Sequence, residues 1–294
     1  MTTIAFIGLG NMGGPMAANL VKAQHRVRGF DLVPASLDQA KADGVAIAGS
    51  GREAVRDADV IVTMLPAGKH VLSVWGDILA DAKAGALVID SSTIDVESAR
   101  KAHAMAAERG LLSLDAPVSG GVGGAKAATL TFMAGGTPDA FARAEPILQQ
   151  MGKRVVHCGE AGAGQAAKIC NNMILGISMI GVAEAFVLAE KLGLSHQALF
   201  DVASTSSGQC WSLTTYCPVP GPVPTSPANN GYKPGFAAAL MLKDLKLAQE
   251  AALASGATTP LGAQAAQLYS LFANAGLADE DFSGIINFVR GLKA

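Results

Sequence analysis

The sequence predicts an α/β domain built on a largely parallel sheet, followed by an all-α domain, with a long helix joining the two. Three observations predict it. Short apolar runs rich in strand-forming residues alternate with helix-like segments through the first half of the chain; that pattern stops at "CGEAGAG"; and beyond it lie long stretches rich in Ala, Leu and Met with no convincing strand. At 294 residues the chain also exceeds the roughly 100–200 residues of one domain. The boundary therefore falls between residues 162 and 163, with a first domain over 1–162 and a helical second domain over 163–294.

The expected strands are "TIAFIG", "RVRGFD", "DVIVTMLP", "ALVIDSS", "LLSLDAP", "TLTFMAGG" and "RVVHCG". Strands separated by helical stretches imply right-handed βαβ crossovers. A helix from about Gly164 to Leu192 would be roughly 43 Å long, enough to pass from one domain to the other. The apolar run Ile169 to Ala183 is shorter than the ~20 residues needed to span a bilayer, and it contains Asn171 and Asn172, so a core helix is expected. Ser206 to Phe236 fits neither pattern. It carries prolines at 218, 220, 222, 224, 227 and 234, and Trp211, Tyr216, Tyr232 and Phe236 give it aromatic material to pack, which predicts an ordered flap.

Composition narrows the partners. The chain is 50% hydrophobic and 16% charged, with net charge -2 and no long run of one sign, which offers no footprint for nucleic acid or an anionic membrane. Small molecules and other subunits are expected instead. Cysteines at 158, 170, 210 and 217 form no CxxC pair, and the histidines add no metal-ligand spacing. No metal is expected, and reduced thiols point to the cytosol or another reducing compartment. The start of the chain, "MTTIAFIGLGNMGG", has neither a basic leader nor a cleavage site, so no targeting peptide is expected.

The same opening stretch carries chemistry. Gly8, Gly10 and Gly13 stand in GxGxxG spacing around Asn11 and Met12, after an apolar strand and before a helix-like run. The first glycine permits the turn, the second lets backbone approach a diphosphate, and the third allows close strand-to-helix packing. Asp31 closes the next strand, where the Rossmann fingerprint places an acid on the adenosine ribose. A carboxylate there repels the 2′-phosphate of NADP, and Leu32 to Ser36 supply no arginine, so NAD is the expected cofactor. Arg28 stands three residues before Asp31 and points weakly the other way.

Further strand ends should reach the same crevice: "TMLPAG", "DSSTID" and "DAPVSGGVGGA", the last offering Ser119 and free backbone N–H groups to a carboxylate or forming a plain flexible loop. One residue stands apart. From Ala161 to Ala183 the only charged side chain is Lys168, which either snorkels to water or is held for proton chemistry.

Taken together, "FIGLGNMGGPMAANL", "DAPVSGG", "GAGQAAKICNN" and "LMLKDLKLA" resemble the β-hydroxyacid dehydrogenase family, in its order and over essentially the whole chain. The resemblance implies Lys168 as the catalytic lysine, Ser119 and Gly120 as substrate-carboxylate ligands and Asn172 as a second substrate contact. It also implies Lys243 near the nicotinamide, and Leu65, Pro66, Thr93 and Phe236 on the cofactor side. The proline-rich segment is most similar to that of members oxidising 3-hydroxyisobutyrate to methylmalonate semialdehyde, a step of valine breakdown. Reductases of tartronate or succinic semialdehyde share every motif, and a non-catalytic dinucleotide-binding module would be expected to lack Lys168. Chemistry supports the assignment: Lys168 and Asn172 are four residues apart, on one helical face, and a neutral lysine can take the hydroxyl proton as hydride leaves the carbon. Cationic neighbours such as Lys243 would lower its pKa. The apolar second half predicts a homodimer or homotetramer.

Overall fold

The computed structural model describes residues 1–291. Two compact units divide between Lys168 and Ile169. The first is built on nine strands: β1 (Thr3–Ile7), β2 (Arg26–Phe30), β3 (Ala46–Ile47), β4 (Val60–Thr63), β5 (Leu87–Asp90), β6 (Leu112–Asp115), β7 (Val118–Ser119), β8 (Leu130–Gly135) and β9 (Gly152–Gly159). They lie in the order β3-β2-β1-β4-β5-β6-β8-β7, with β9 paired to β8. The run from β3 to β6 is wholly parallel, whereas β8 runs antiparallel to β6 and β7 and parallel to β9. The chain leaves β1 for β2 on one side and returns to β4 on the other. That reversal opens a crevice at the carboxyl ends of β1 and β4, where ligands of such sheets bind.

Side-chain alternation explains why these runs are strands. Ile4 and Phe6 enter one apolar cluster with Val62 and Ile89, while Ala5 and Ile7 enter a second with Ile61 and Val88 on the opposite face. Both faces of the central strands are covered, so the first three residues of β4 (VIV) and of β5 (LVI) are apolar without alternation. Two strands escaped the sequence analysis, β3 and β7. Each has two residues, too few for any period.

The helix Ala163–Lys191 spans 29 residues, within one residue of the expected limits at each end. By length and composition it could cross a membrane. Its packing within the second unit is that of a core helix: a Cβ on Gly176 would stand 3.1 Å from Leu245 and 3.2 Å from Met241. Met179, Phe186, Met241, Leu245, Tyr269 and Phe272 form the apolar core of that unit, closed by the helices Ala238–Ser255 and Pro260–Phe272. The proline-rich flap is packed as expected. Cys217 and Val219 are buried, Trp211 stacks on Tyr216 and Tyr216 on Phe282.

A buried polar chain fixes the strand ends in the first unit. Trp75 Nε1 donates to Thr63 Oγ1 (3.2 Å), which donates to Asp90 Oδ1 (2.7 Å). Ser92 Oγ donates to the same oxygen (2.6 Å) and accepts the N–H of Leu65 (2.7 Å). Asp90 Oδ2 has no hydrogen-bond partner among the described residues. Burial pushes this carboxyl up to about 6 from 3.8, against the lowering effect of the Ser92 and Thr63 bonds, and the Asp115 carboxylate adds to the rise.

The consequence is a pH-dependent stability. Below the unfolded value Asp90 is protonated in both states; as pH rises through it the unfolded chain ionises first, and stability falls until the folded value is passed. At ~1.4 kcal/mol per unit the fall is about 3 kcal/mol. Asp90→Asn removes it. In urea denaturation the stability of the variant relative to the native chain should rise by about 2–3 kcal/mol between roughly pH 4 and pH 7, and a constant difference would mean that Asp90 does not titrate there.

Candidate functional site

The first unit gathers four strand ends. Gly8 closes β1 with φ +94°, and a Cβ there would stand 2.2 Å from the Met64 carbonyl oxygen beyond β4; one on Gly13 would stand 1.9 Å from the carbonyl of Gly8. Both glycines are therefore fixed by packing of the protein on itself. Gly10 differs. Beyond its chain neighbours nothing among the described residues lies within 4 Å of a Cβ built on it, so no packing of the protein on itself requires a glycine there. The helix that follows, Gly13–Lys22, has no acid in its first turn and no side-chain cap on Met12, and its leading N–H groups suit a diphosphate. An open groove of about 700 Å³ runs past Leu9, Gly10, Asn11, Ser36, Lys22 and Lys126. These features fit a dinucleotide.

Asp31 follows β2 and has two tasks. Its Oδ2 accepts the N–H of Leu9 inside the glycine turn (2.6 Å) and its Oδ1 accepts that of Val33 (2.8 Å). Arg28 directs Nη1 to the carbonyl of Arg56 (2.7 Å). Leu65 and Pro66 follow β4, and Thr93 follows β5 through the Ser92 link described above. Sequence reasoning left "VSGGVGGA" open between an anion-binding turn and a plain loop. It is regular structure: Ser119 pairs with Thr131 in β7 and β8, and Gly120 (φ +135°) leads into the helix Gly121–Ala127.

Lys168 is 6% exposed, which removes the snorkelling alternative. It lies in the second turn of the helix Ala163–Lys191. In the second unit Asn172, one turn on, is 1% exposed and donates from Nδ2 to Asp244 Oδ2 (2.5 Å). Asp244 is the neighbour of Lys243 on the helix Ala238–Ser255. Phe236 is held through its backbone: Asp281 Oδ2 accepts the N–H groups of Gly235 (2.9 Å) and Phe236 (3.1 Å) together with the Tyr216 hydroxyl (2.9 Å). Burial, with the Asp281 carboxylate beside it, pushes the Tyr216 phenol far above its usual range.

Sequence reasoning missed Asp244, Asp90, Gln165 and Asp281. Asp244 stood inside "LMLKDLKLA", where a lone acid in an apolar stretch was the available signal. Asp90 and Gln165 stood inside "DSSTID" and "GAGQAAKICNN" without being singled out, and Asp281 carries no local signature.

Comparison with known proteins identifies the family. The family described as the NAD binding domain of 6-phosphogluconate dehydrogenase matches residues 3–159. The family described as the NAD-binding of NADP-dependent 3-hydroxyisobutyrate dehydrogenase matches residues 162–289. A Pseudomonas aeruginosa 3-hydroxyisobutyrate dehydrogenase is 53% identical, covering 99% of both chains. An NAD-dependent L-serine dehydrogenase of the same organism is 50% identical, covering 96% of both. The solved structure of Mycobacterium tuberculosis 3-hydroxyisobutyrate dehydrogenase with L-serine is 60% identical, covers 99% of both chains and superposes with a TM-score of 0.96. With both halves matched in sequence and a full-length structural counterpart, the chain belongs to the 3-hydroxyisobutyrate dehydrogenase family, among the β-hydroxyacid dehydrogenases.

Proposed function

We propose that this chain oxidises 3-hydroxyisobutyrate to methylmalonate semialdehyde with NAD, and that Lys168 takes the hydroxyl proton. The observation that carries the reading is a buried lysine one helical turn from a buried asparagine, in a chain of this family. Bound NAD would accept the hydride from the hydroxyl-bearing carbon. Neutral Lys168 Nζ accepts the proton as the C–O bond becomes a carbonyl, and in the reverse direction its ammonium returns it. Ser119 and the backbone beside Gly120 hold the substrate carboxylate, and Asn172, oriented by Asp244, addresses the substrate as a second contact. Gly8, Gly10, Asn11, Met12, Gly13, Asp31, Leu65, Pro66, Thr93, Phe236 and Lys243 serve the cofactor. In this reading residues 1–162 are the dinucleotide-binding domain and 163–294 the substrate and dimerisation domain, working in the cytoplasm, where four free cysteines stay reduced.

L-Serine is the second reading. It carries the same carboxylate and β-hydroxyl, and one relative is named for its oxidation. Comparing kcat/KM for 3-hydroxyisobutyrate and L-serine with NAD separates the two, and preference for serine would reassign the substrate.

Self-association is supported by the second unit's surface. Ile174, Leu188, Leu192, Val202, Leu253 and Leu271 are each more than half exposed, and Ile174, Gly181 and Leu188 recur at heptad spacing along one exposed stripe. A second copy is the occupant proposed.

Three outcomes test these assignments. Lys168→Ala should lower kcat by roughly 10²–10⁴ while NAD binding, followed by titration, survives; a variant keeping more than half the native rate would refute the role. Asp31→Ser with Leu32→Arg should move the kcat/KM ratio toward NADP. Because Asp31 also latches Leu9, the pair should lower absolute activity with both cofactors, and a native chain already using both equally would defeat the assignment of NAD. Sedimentation at micromolar concentration should give a dimer or tetramer, and a monomer would refute self-association.

A further inference from the structure

The backbone groups on either side of Thr93 are bound by one side chain. Gln165 is fully buried. Its Oε1 accepts the N–H of Ile94 (3.1 Å) and its Nε2 donates to the carbonyl of Ser92 (2.7 Å). Its own backbone N–H donates to Asp115 Oδ2 (2.8 Å), and the N–H of Gly162 donates to Asp115 Oδ1 (2.8 Å). Gln165 therefore pairs with the Ser92–Ile94 segment much as one strand pairs with the next. Lys168 follows three residues later on the same helix, so that segment and the lysine are linked through a single turn. A primary amide offers a donor and an acceptor side by side without charge.

We propose that Gln165 is a positioning residue, holding the turn that carries Lys168 in register with the cofactor-lining segment at Thr93. The inference rests on Lys168 as the proton-transfer group. Its contribution to rate then runs through Lys168 and not through cofactor affinity. A displacement of about 1 Å in a reacting group can lower rate by about 10²-fold.

The test is a double-mutant cycle on the full-length enzyme with Gln165→Met, which preserves length and removes both hydrogen bonds. Alone, the variant should lower kcat roughly ten- to a hundredfold while KM for NAD moves less than about threefold. In the Lys168→Ala background the same change should lower kcat less than about twofold, because the group being positioned is gone. Equal losses in both backgrounds would overturn the inference and leave Lys168 as assigned; full activity of Lys168→Ala by itself would overturn the reading beneath it. If Gln165→Met does not fold, Gln165→Glu replaces it. A protonated carboxyl reproduces both hydrogen bonds and an ionised one opposes the Ser92 carbonyl. The charged and titratable groups facing it are Asp115, at its backbone N–H, with His103 behind it, Asp90 across Ser92, and Lys168 one turn on. Its kcat relative to the native enzyme should fall as pH rises, and a pH-independent ratio would overturn the inference.

Discussion

A single buried carboxylate decides where the longest helix begins. Asp115 ends β6, is 1% exposed, and accepts the N–H groups of Gly162 and Gln165 at the start of Ala163–Lys191. Those donors would otherwise be unsatisfied at a helix start, and a charge of this sign there is favoured by the helix dipole as well. Asp115 is kept in place from the other side, since His103 joins its Nε2 to Oδ1 (2.9 Å) and its Nδ1 to Ser113 Oγ (2.8 Å) by hydrogen bonds. The turn bearing Lys168 is therefore positioned by the sheet itself, through an acceptor that lies 50 residues earlier in the chain than Gln165.

The same logic governs the loops after β1, β4 and β5. They rest on buried or part-buried polar contacts: Asp90 holds Ser92, Ser92 holds Leu65, and Asp31 holds Leu9. Such contacts are costly to leave half satisfied and rigid once complete. A site supported in this way needs little rearrangement to meet a ligand, which is where preorganised groups gain their effect. In the second unit Asp281 does comparable work for Phe236, and Asp244 for Asn172.

What could be read in the sequence was local. The glycine spacing, the acid after β2 and the lone lysine in an apolar helix each announce themselves within a window of a few residues, as do the two domains through their change of period. The supports beneath them do not. Asp115 meets Gln165 across 50 positions, Gln165 meets Ile94 across 71, and Asn172 meets Asp244 across 72. No periodicity or propensity encodes such pairs, because they exist only once the sheet is assembled. The antiparallel setting of β8 was hidden for the same reason: strand direction depends on which neighbour a strand finds.

The placement of the two tryptophans gives each unit its own optical label. Trp75 is fully buried in the first unit, with its indole N–H on the Thr63 hydroxyl, whereas Trp211 is half exposed in the second and stacks on Tyr216. One indole is shielded from water and the other is half in it. Because Trp75 begins the chain of contacts that ends at Leu65, a change in the loop after β4 would reach its indole, and a change in the flap would reach that of Trp211. Loss of order in either half is thereby distinguishable in the unlabelled protein.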